Sequence, residues 1–215
     1  MTEIKEMMLS DILKIQDKVR RHQLIVLSYP VLNPDYIRRD LETIKELHNS
    51  GIKLPRVILD QAIKAGNLTV LKYLTIEMTI DNKNIDTAIE NDQIQILKFL
   101  LSIISCNQKN LCLAIMKHKL NIIKILFEYD ICCENDILEF VAEYGNLEIF
   151  MFFVEKGALL TDSTLDKACR SDVLIVDYII RYKKISTLRI IDLLVGNKNN
   201  KIITDYLANY LKNII

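Results

Sequence analysis

Glycine and proline are scarce in this chain of 215 residues, which contains five glycines and three prolines. A β-rich or loop-rich fold uses both residue types at its turns, so their scarcity favours helices. An excess of charge of either sign is also absent, because 28 lysines and arginines balance 28 aspartates and glutamates. Binding to nucleic acid or to an anionic membrane depends on a basic surface, and we therefore expect neither partner.

Long apolar runs are missing as well. No stretch approaches the ~18–20 residues that cross a bilayer, and residues 1–10 lack the charged-then-apolar layout of a signal peptide. The cysteines are odd in number and contain no C-x-x-C: Cys106, Cys112, Cys132, Cys133 and Cys169. We expect reduced thiols in an intracellular protein, cytoplasmic or nuclear.

The residue patterns of common catalytic and cofactor sites are also absent. Neither G-x-x-x-x-G-K-(S/T) nor G-x-G-x-x-G occurs, and the cysteines lack zinc-finger spacing. A catalytic centre needs a nucleophile or acid–base group with a partner that orients it, and no such arrangement is evident around His22, His48 or His118. We predict no catalytic residue, no metal and no cofactor.

Basic residues form three short groups, at 18–22, 38–39 and 181–184. We interpret each group as a solvated helix face. If they converged on one face, a nucleic-acid or acidic-protein partner would gain support.

The main positive signal is an internal repeat. Five segments of similar pattern follow one another: AIKAGNLTVLKYL, AIENDQIQILKFL, AIMKHKLNIIKIL, VAEYGNLEIFMFF and ACRSDVLIVDYII. Their shared apolar anchor positions are Leu68, Ile94, Leu120, Leu147 and Leu174. The spacings between these anchors are 26, 26, 27 and 27 residues.

Each copy predicts two short helices. The first carries L-x-x-A, as in Leu59 and Ala62, where the small alanine lets neighbouring helices approach closely. Gly66-Asn67 and Gly145-Asn146 then turn the chain, since both residue types tolerate left-handed backbone. The second helix is apolar on more than one side, which indicates burial between neighbours. A leucine-rich repeat would instead need a strand of alternating leucines, which these copies do not show.

The clearest copies, AIKAGNLTVLKYL from Ala62 and EYGNLEIF from Glu143 with its trailing VEKGA, resemble the ankyrin repeat. They are similar to that family's A-A-x-x-G-H-L-x-(V/I)-V-x-(Y/L)-L and G-A. In residue usage the copies resemble the ankyrin-repeat proteins of giant DNA viruses of the mimivirus type. The resemblance covers about residues 31–215. It implies an all-α solenoid of about seven helix pairs acting as a monomeric binding protein.

Two features depart from the family. The T-P-L-H at the start of the first helix survives only as Thr164-Leu165, and the period is 26–27 residues rather than about 33. The missing residues fall where the family has a β-hairpin. Because Leu74 and Ile85 are separated by ten residues, we predict short irregular loops with little or no strand.

The predicted organisation is a helical cap followed by an array. Residues 1–30 form the cap, which would shield one apolar end of the stack. The array occupies residues 31–215, with units near 31–55, 56–81, 82–107, 108–133, 134–161, 162–187 and 188–215.

The resemblance implies that a protein partner binds the concave face, at the two residues before each inter-helix turn. The candidates at these positions are Lys64, Glu90, Asn91, Met116, Lys117, Glu143, Tyr144, Arg170 and Ser171. Adjoining loops at 82–83, 107–110, 134–135 and 161–163 would add contacts. Tyr144 and Arg170 are the strongest by residue type.

Three classes of function stay open at this point. The leading one is a non-enzymatic scaffold or adaptor that binds a host protein. The second is the substrate-recruiting subunit of a ubiquitin ligase, although neither end shows an F-box-like pattern. The third is an enzyme with an unrecognised site.

Overall fold

The computed structural model describes residues 41–49, 54, 56–131, 133 and 136–214. They belong to two compact units, which divide between Ile104 and Ser105. The cap predicted for residues 1–30 lies outside the described residues.

The described part of the first unit contains five helices. They are α1 (Leu41–Asn49), α2 (Val57–Lys64), α3 (Leu68–Leu74), α4 (Asn82–Glu90) and α5 (Ile94–Leu101). Helix α2 contacts both α3 and α4, α4 contacts α5, and α1 contacts α3. This unit is thus arranged in helix pairs, and the first helix of one pair contacts the first helix of the next.

The second unit continues the same alternation. Its helices are α6 (Gln108–Met116), α7 (Leu120–Glu128), α8 (Ile137–Tyr144), α9 (Leu147–Glu155), α10 (Asp162–Ser171), α11 (Val173–Lys183), α12 (Thr187–Gly196) and α13 (Lys201–Ile214). Helix α8 lies against α6 on one side and α10 on the other, and α11 contacts α9 and α13.

The prediction of an all-α fold is confirmed for the residues that the structure describes, which contain helices and no strand. Residues 75–81 and 102–107 connect successive pairs without a hairpin. The ankyrin-like solenoid and the count of seven units stay predictions.

Three of the first helices, α4, α6 and α10, begin with a capping box that was not predicted from the sequence. Asn107 and Asn110 bond reciprocally, each side-chain oxygen accepting from the other's backbone nitrogen, at 3.2 and 2.9 Å. Equivalent boxes join Asp81 with Asn84 and Thr161 with Thr164. Each box satisfies backbone N–H groups that a helix start leaves without partners. Asn110 is therefore almost fully buried, which corrects its assignment to an exposed contact loop.

The alanine of L-x-x-A lies in the core, as the pattern predicted. Ala62, Ala88, Ala114 and Ala168 are fully buried, as is Val141 at the same position in α8. Because a side chain this small fills little space, neighbouring helices can pack closely there.

The repeating anchor at the start of each second helix is not a core residue. Ile94 is 38% exposed and Leu174 is 57% exposed. The buried positions follow it, as with Ile96, Leu97 and Leu100 of α5 and Ile175 and Val176 of α11. The anchor marks the repeat in the sequence because it begins the second helix in four copies and is its second residue in α11, while the residues after it supply the packing.

The turn inside each pair takes two forms. Gly66, Asp92 and His118 occupy equivalent positions and have positive φ angles of 70°, 55° and 54°. Gly145 has φ of −85°, so the left-handed turn predicted there is wrong. A Cβ at Gly145 would lie 2.6 Å from the carbonyl oxygen of Val141. Close backbone approach explains that glycine, rather than positive φ.

Candidate functional site

The predicted partner-binding residues lie at the C-terminal ends of the first helices. In the first unit these are Lys64, Glu90 and Asn91, all exposed. In the second unit they are Met116, Lys117, Glu143, Tyr144, Arg170 and Ser171, of which Glu143 is half-buried and the others are exposed. Helix α8 contacts both α6 and α10, and we call the C-terminal ends of these three helices the helix-end surface.

Hydrogen bonds between successive pairs hold these helix ends side by side. Ser171 donates its hydroxyl to the carbonyl oxygen of Ala142 in α8 at 2.5 Å. In the first unit, Gln93 Nε2 donates to the carbonyl oxygen of Lys64 at 3.0 Å. Each bond satisfies a carbonyl near a helix end, where intrahelical partners run out. The side chain of Ser171 therefore has a structural contact of its own.

An ion pair joins α8 and α10 beside the helix-end surface. Lys167 Nζ lies 2.6 Å from Glu143 Oε2. The hydrogen bond from Lys167 lowers the pKa of the Glu143 carboxyl, and the positive charges of Lys167 and Arg170 add to the effect. Glu143 is therefore charged at neutral pH and already has a partner within the protein.

The aromatic part of the surface comes from α8. The Tyr144 ring lies 4.7 Å from the Phe140 ring, centroid to centroid. Tyr144 is 46% exposed, so this ring is available for contact. A supported aromatic side chain of this kind is a typical energetic centre of a protein interface.

A groove is formed by residues of the same three helices and of the segment just before α8. Its cavity volume is about 230 Å³. It is lined by Gln108, Cys112, Asp136, Ile137, Glu139, Phe140, Glu143 and Lys167. We call it the α8 groove.

Glu143 was a sequence-based candidate and Gln108 lay in a predicted contact loop, whereas the other groove residues were not predicted, although α8 carries a signal for them. Asp136, Phe140 and Glu143 are separated by four and three residues, which places them on one face of a helix. The contribution of Gln108, Cys112 and Lys167 depends on three helices lying side by side, which no local pattern records.

No family model matches the chain, and the comparisons with curated proteins and with solved structures also gave no match. The relation to ankyrin repeats accordingly stays a prediction from the sequence.

The histidines and cysteines considered in the sequence have surroundings typical of structural residues. His118 is exposed in its turn, and His48 Nδ1 lies 2.7 Å from the Tyr73 hydroxyl. Burial raises the pKa of the Cys169 thiol to about 11, so this thiol is neutral at physiological pH. His22 and Cys132 lie outside the described residues.

The basic group at 181–184 is exposed, and Arg181 in it pairs with Asp177 at 2.7 Å. The groups at 18–22 and 38–39 lie outside the described residues. In the part of the chain that the structure describes, no helix is long and apolar enough to cross a membrane.

Proposed function

We propose that this protein is a non-enzymatic scaffold or adaptor that binds a protein partner through the helix-end surface of its second unit. The observation that carries the proposal is the contrast between a constant core and a variable surface. The core position of L-x-x-A is alanine in four of the five copies, whereas two residues later the copies have Lys, Glu, Met, Glu and Arg.

This contrast is what a repeat array used for recognition requires. Stacked repeats must keep the residues that pack one pair on the next. Exposed positions on a stable scaffold are free to take the chemistry that a partner demands. Tyr144 and Arg170 are residue types that dominate binding energy in protein interfaces, and both are exposed here.

The bonds between pairs support the same proposal by fixing the surface before binding. The Ser171 bond to Ala142 and the Glu143–Lys167 ion pair both connect α8 with α10. A preformed surface loses less conformational entropy on association than a mobile one. We place the protein among ankyrin-like repeat proteins, and the resemblance to giant-virus proteins implies a host protein as partner.

Affinity capture with paired variants tests the proposal. The test variant is Tyr144→Ala with Arg170→Ala. The matched control is Tyr182→Ala with Lys183→Ala, which removes an exposed tyrosine and an exposed cation from α11 of the same unit. We expect the native chain and the control to retain the same partner from lysate of the cells that contain the protein. The test variant should lose it, with an affinity at least about 30-fold weaker.

Equal retention by both variants would contradict this use of the helix-end surface. Turnover of a substrate by the purified chain, with no partner retained, would favour the enzyme alternative instead.

A further inference from the structure

Helix α12 exposes a row of aliphatic side chains. Leu188 is 76% exposed, Ile191 is 40% exposed and Val195 is 54% exposed. Their spacing of three and four residues places them on one face of the helix, and we call these three residues the α12 ridge. Ile190 and Leu193 of the same helix are buried. An outward helix face is ordinarily polar, and a row of exposed aliphatic residues is typical of an interaction surface.

The preceding first helix has polar residues at the positions of the ridge. Thr161 before α10 and Ser186 before α12 are equivalent N-caps, since each side chain accepts from the backbone nitrogen three residues later. Counted from these caps, the ridge positions are occupied in α10 by Ser163, Asp166 and Arg170. The outward face therefore changes from polar to aliphatic between α10 and α12.

The ridge follows on from the helix-end surface. Val195 occupies in α12 the position that Arg170 occupies in α10. The guanidinium group of Arg189 donates to Asp166 Oδ1 at 2.7 Å and so joins α12 to α10. A partner that contacts Arg170 would therefore have α12 as the adjoining first helix.

A carboxylate borders the ridge. Asp192 is exposed and lies four residues after Leu188, on the same side of the helix. It forms no ion pair with a lysine or arginine of the described part of the chain. A bound molecule with a cation at this point would gain a charge-assisted contact.

The chemistry of the ridge limits how a peptide could be recognised. Addition of a strand needs the edge of a sheet, and the described residues contain no strand. Proline-rich segments bind grooves lined by aromatic rings, whereas the ridge is entirely aliphatic. An amphipathic helix instead lays apolar anchors, spaced by three or four residues, on an apolar surface. Rows of side chains with that spacing pack against one another when two helices lie side by side.

We propose that the α12 ridge binds an amphipathic helix of the protein partner, an inference that rests on the proposed function. That helix presents aliphatic side chains to the ridge at positions i, i+3 or i+4, and i+7. Beside this stripe it carries a lysine or arginine that pairs with Asp192. The ridge is exposed in the free chain, and its burial on binding supplies the hydrophobic contribution.

A selection that does not presuppose a helix tests this. Random 16-residue peptides displayed on phage are selected on the full-length chain, and enriched sequences are synthesised with a fluorophore for anisotropy titration. We expect enriched peptides to share the aliphatic spacing and a basic residue beside it. Proline at a central position outside the stripe should abolish binding, because proline breaks a helix but is compatible with many extended segments.

Protein variants then locate the bound peptide. Leu188→Gln should weaken binding about tenfold. Leu159→Gln is the matched control, because Leu159 is 71% exposed and lies between α9 and α10 rather than on α12. It should bind the peptide like the native chain. Circular dichroism of each variant checks that the helices are retained.

A double-mutant cycle tests the charge contact. Asp192→Asn should weaken binding about threefold. Replacing the basic residue of the peptide by glutamine should have a similar effect on the native chain and little further effect on Asp192→Asn. Additive effects would show that the basic residue binds elsewhere and would overturn the assignment of Asp192.

The remaining outcomes separate this inference from the proposed function. Peptides without the aliphatic spacing, no enriched peptide, or equal affinity for Leu188→Gln and Leu159→Gln would each overturn the ridge as a helix site. So would a dimer in sedimentation equilibrium that Leu188→Gln dissociates, because a second copy would then cover the ridge. If the captured partner depends on Tyr144 and Arg170 but not on Leu188, the proposed function stands and only the ridge fails.

Discussion

Asn107 and Asn110 close the first turn of α6 from both directions, each accepting a hydrogen bond from the other's backbone nitrogen. Asn110 is nearly fully buried in doing so. A polar side chain can be buried in that position because its oxygen accepts a hydrogen bond from a nearby backbone nitrogen. The same relation holds between Thr161 and Thr164 at the start of α10.

This relation predicts the cost of losing a cap. Asn107→Ala should lower the free energy of unfolding by about 0.5–2 kcal/mol. Asn121→Ala is the control, since Asn121 is exposed on α7 and alanine has the higher helix propensity. Urea denaturation followed by circular dichroism measures both variants. Equal stability of the two would show that the capping box contributes nothing.

The buried alanines predict a penalty for extra volume. Ala88→Phe and Ala114→Phe each insert a ring at a fully buried position and should destabilise the protein by about 1–3 kcal/mol or more. Ala65→Phe, at a partly exposed residue just after α2, should cost much less. Thermal unfolding provides the comparison. Unchanged melting temperatures for both buried variants would mean that the helix packing described here is wrong.

The Glu143–Lys167 pair predicts a pH dependence. The pKa of Glu143 in the folded protein lies below its ordinary value of 4.5. A carboxyl with a lowered folded pKa contributes stability above its unfolded pKa and loses that contribution as pH falls through the folded value. The native chain should therefore exceed Glu143→Gln in stability at neutral pH, and the difference should shrink below about pH 4.5. Urea unfolding at a series of pH values measures it.

This prediction would be contradicted if the stability difference between the native chain and Glu143→Gln stayed constant from neutral pH to about pH 3. Glu148→Gln serves as the control, because Glu148 is exposed and forms no ion pair among the described residues. Its stability should run parallel to that of the native chain across the series.

Helix α12, the first helix of the final pair, has an exposed and a buried face, and substitutions on the two faces should differ in their effect on stability. Leu188 is 76% exposed and Val195 is also exposed, whereas Leu193 of the same helix is buried. Leu188→Gln with Val195→Gln should change stability by no more than about 0.5 kcal/mol per site. Leu193→Ala should cost about 2–5 kcal/mol. Comparable losses for both variants would indicate that the exposed apolar face is covered in solution.

The helices could be predicted from sequence because their signal is repeated. A single copy such as Ala62–Leu74 is ambiguous, but five copies at 26–27-residue spacing identify the same two-helix unit each time. The burial of Ala88 and Ala114 followed from that register. The absence of hairpins among the described residues followed from the short distance between Leu74 and Ile85.

The remaining details depend on contacts that a local pattern does not contain. Asn110 was assigned to a contact loop because the ankyrin resemblance places a loop there, whereas it lies in the first turn of α6 and is buried in its bond with Asn107. Gly145 was assigned a left-handed turn because glycine permits one, whereas proximity to the Val141 carbonyl decides its use. The α8 groove combines side chains from three helices, and therefore required their packing to be known.

The central claim, that the helix-end surface binds a protein partner, is tested most directly by site-specific photo-cross-linking. A photoreactive phenylalanine analogue replaces Tyr144 in one sample and Tyr182 in another. Both tyrosines are exposed and both lie in the second unit, on α8 and α11 respectively. Samples are irradiated in lysate of the cells that contain the protein, and the products are identified by mass spectrometry. We predict one specific adduct from position 144 that is missing from position 182. The same set of adducts at both positions, or none at position 144, would contradict the account.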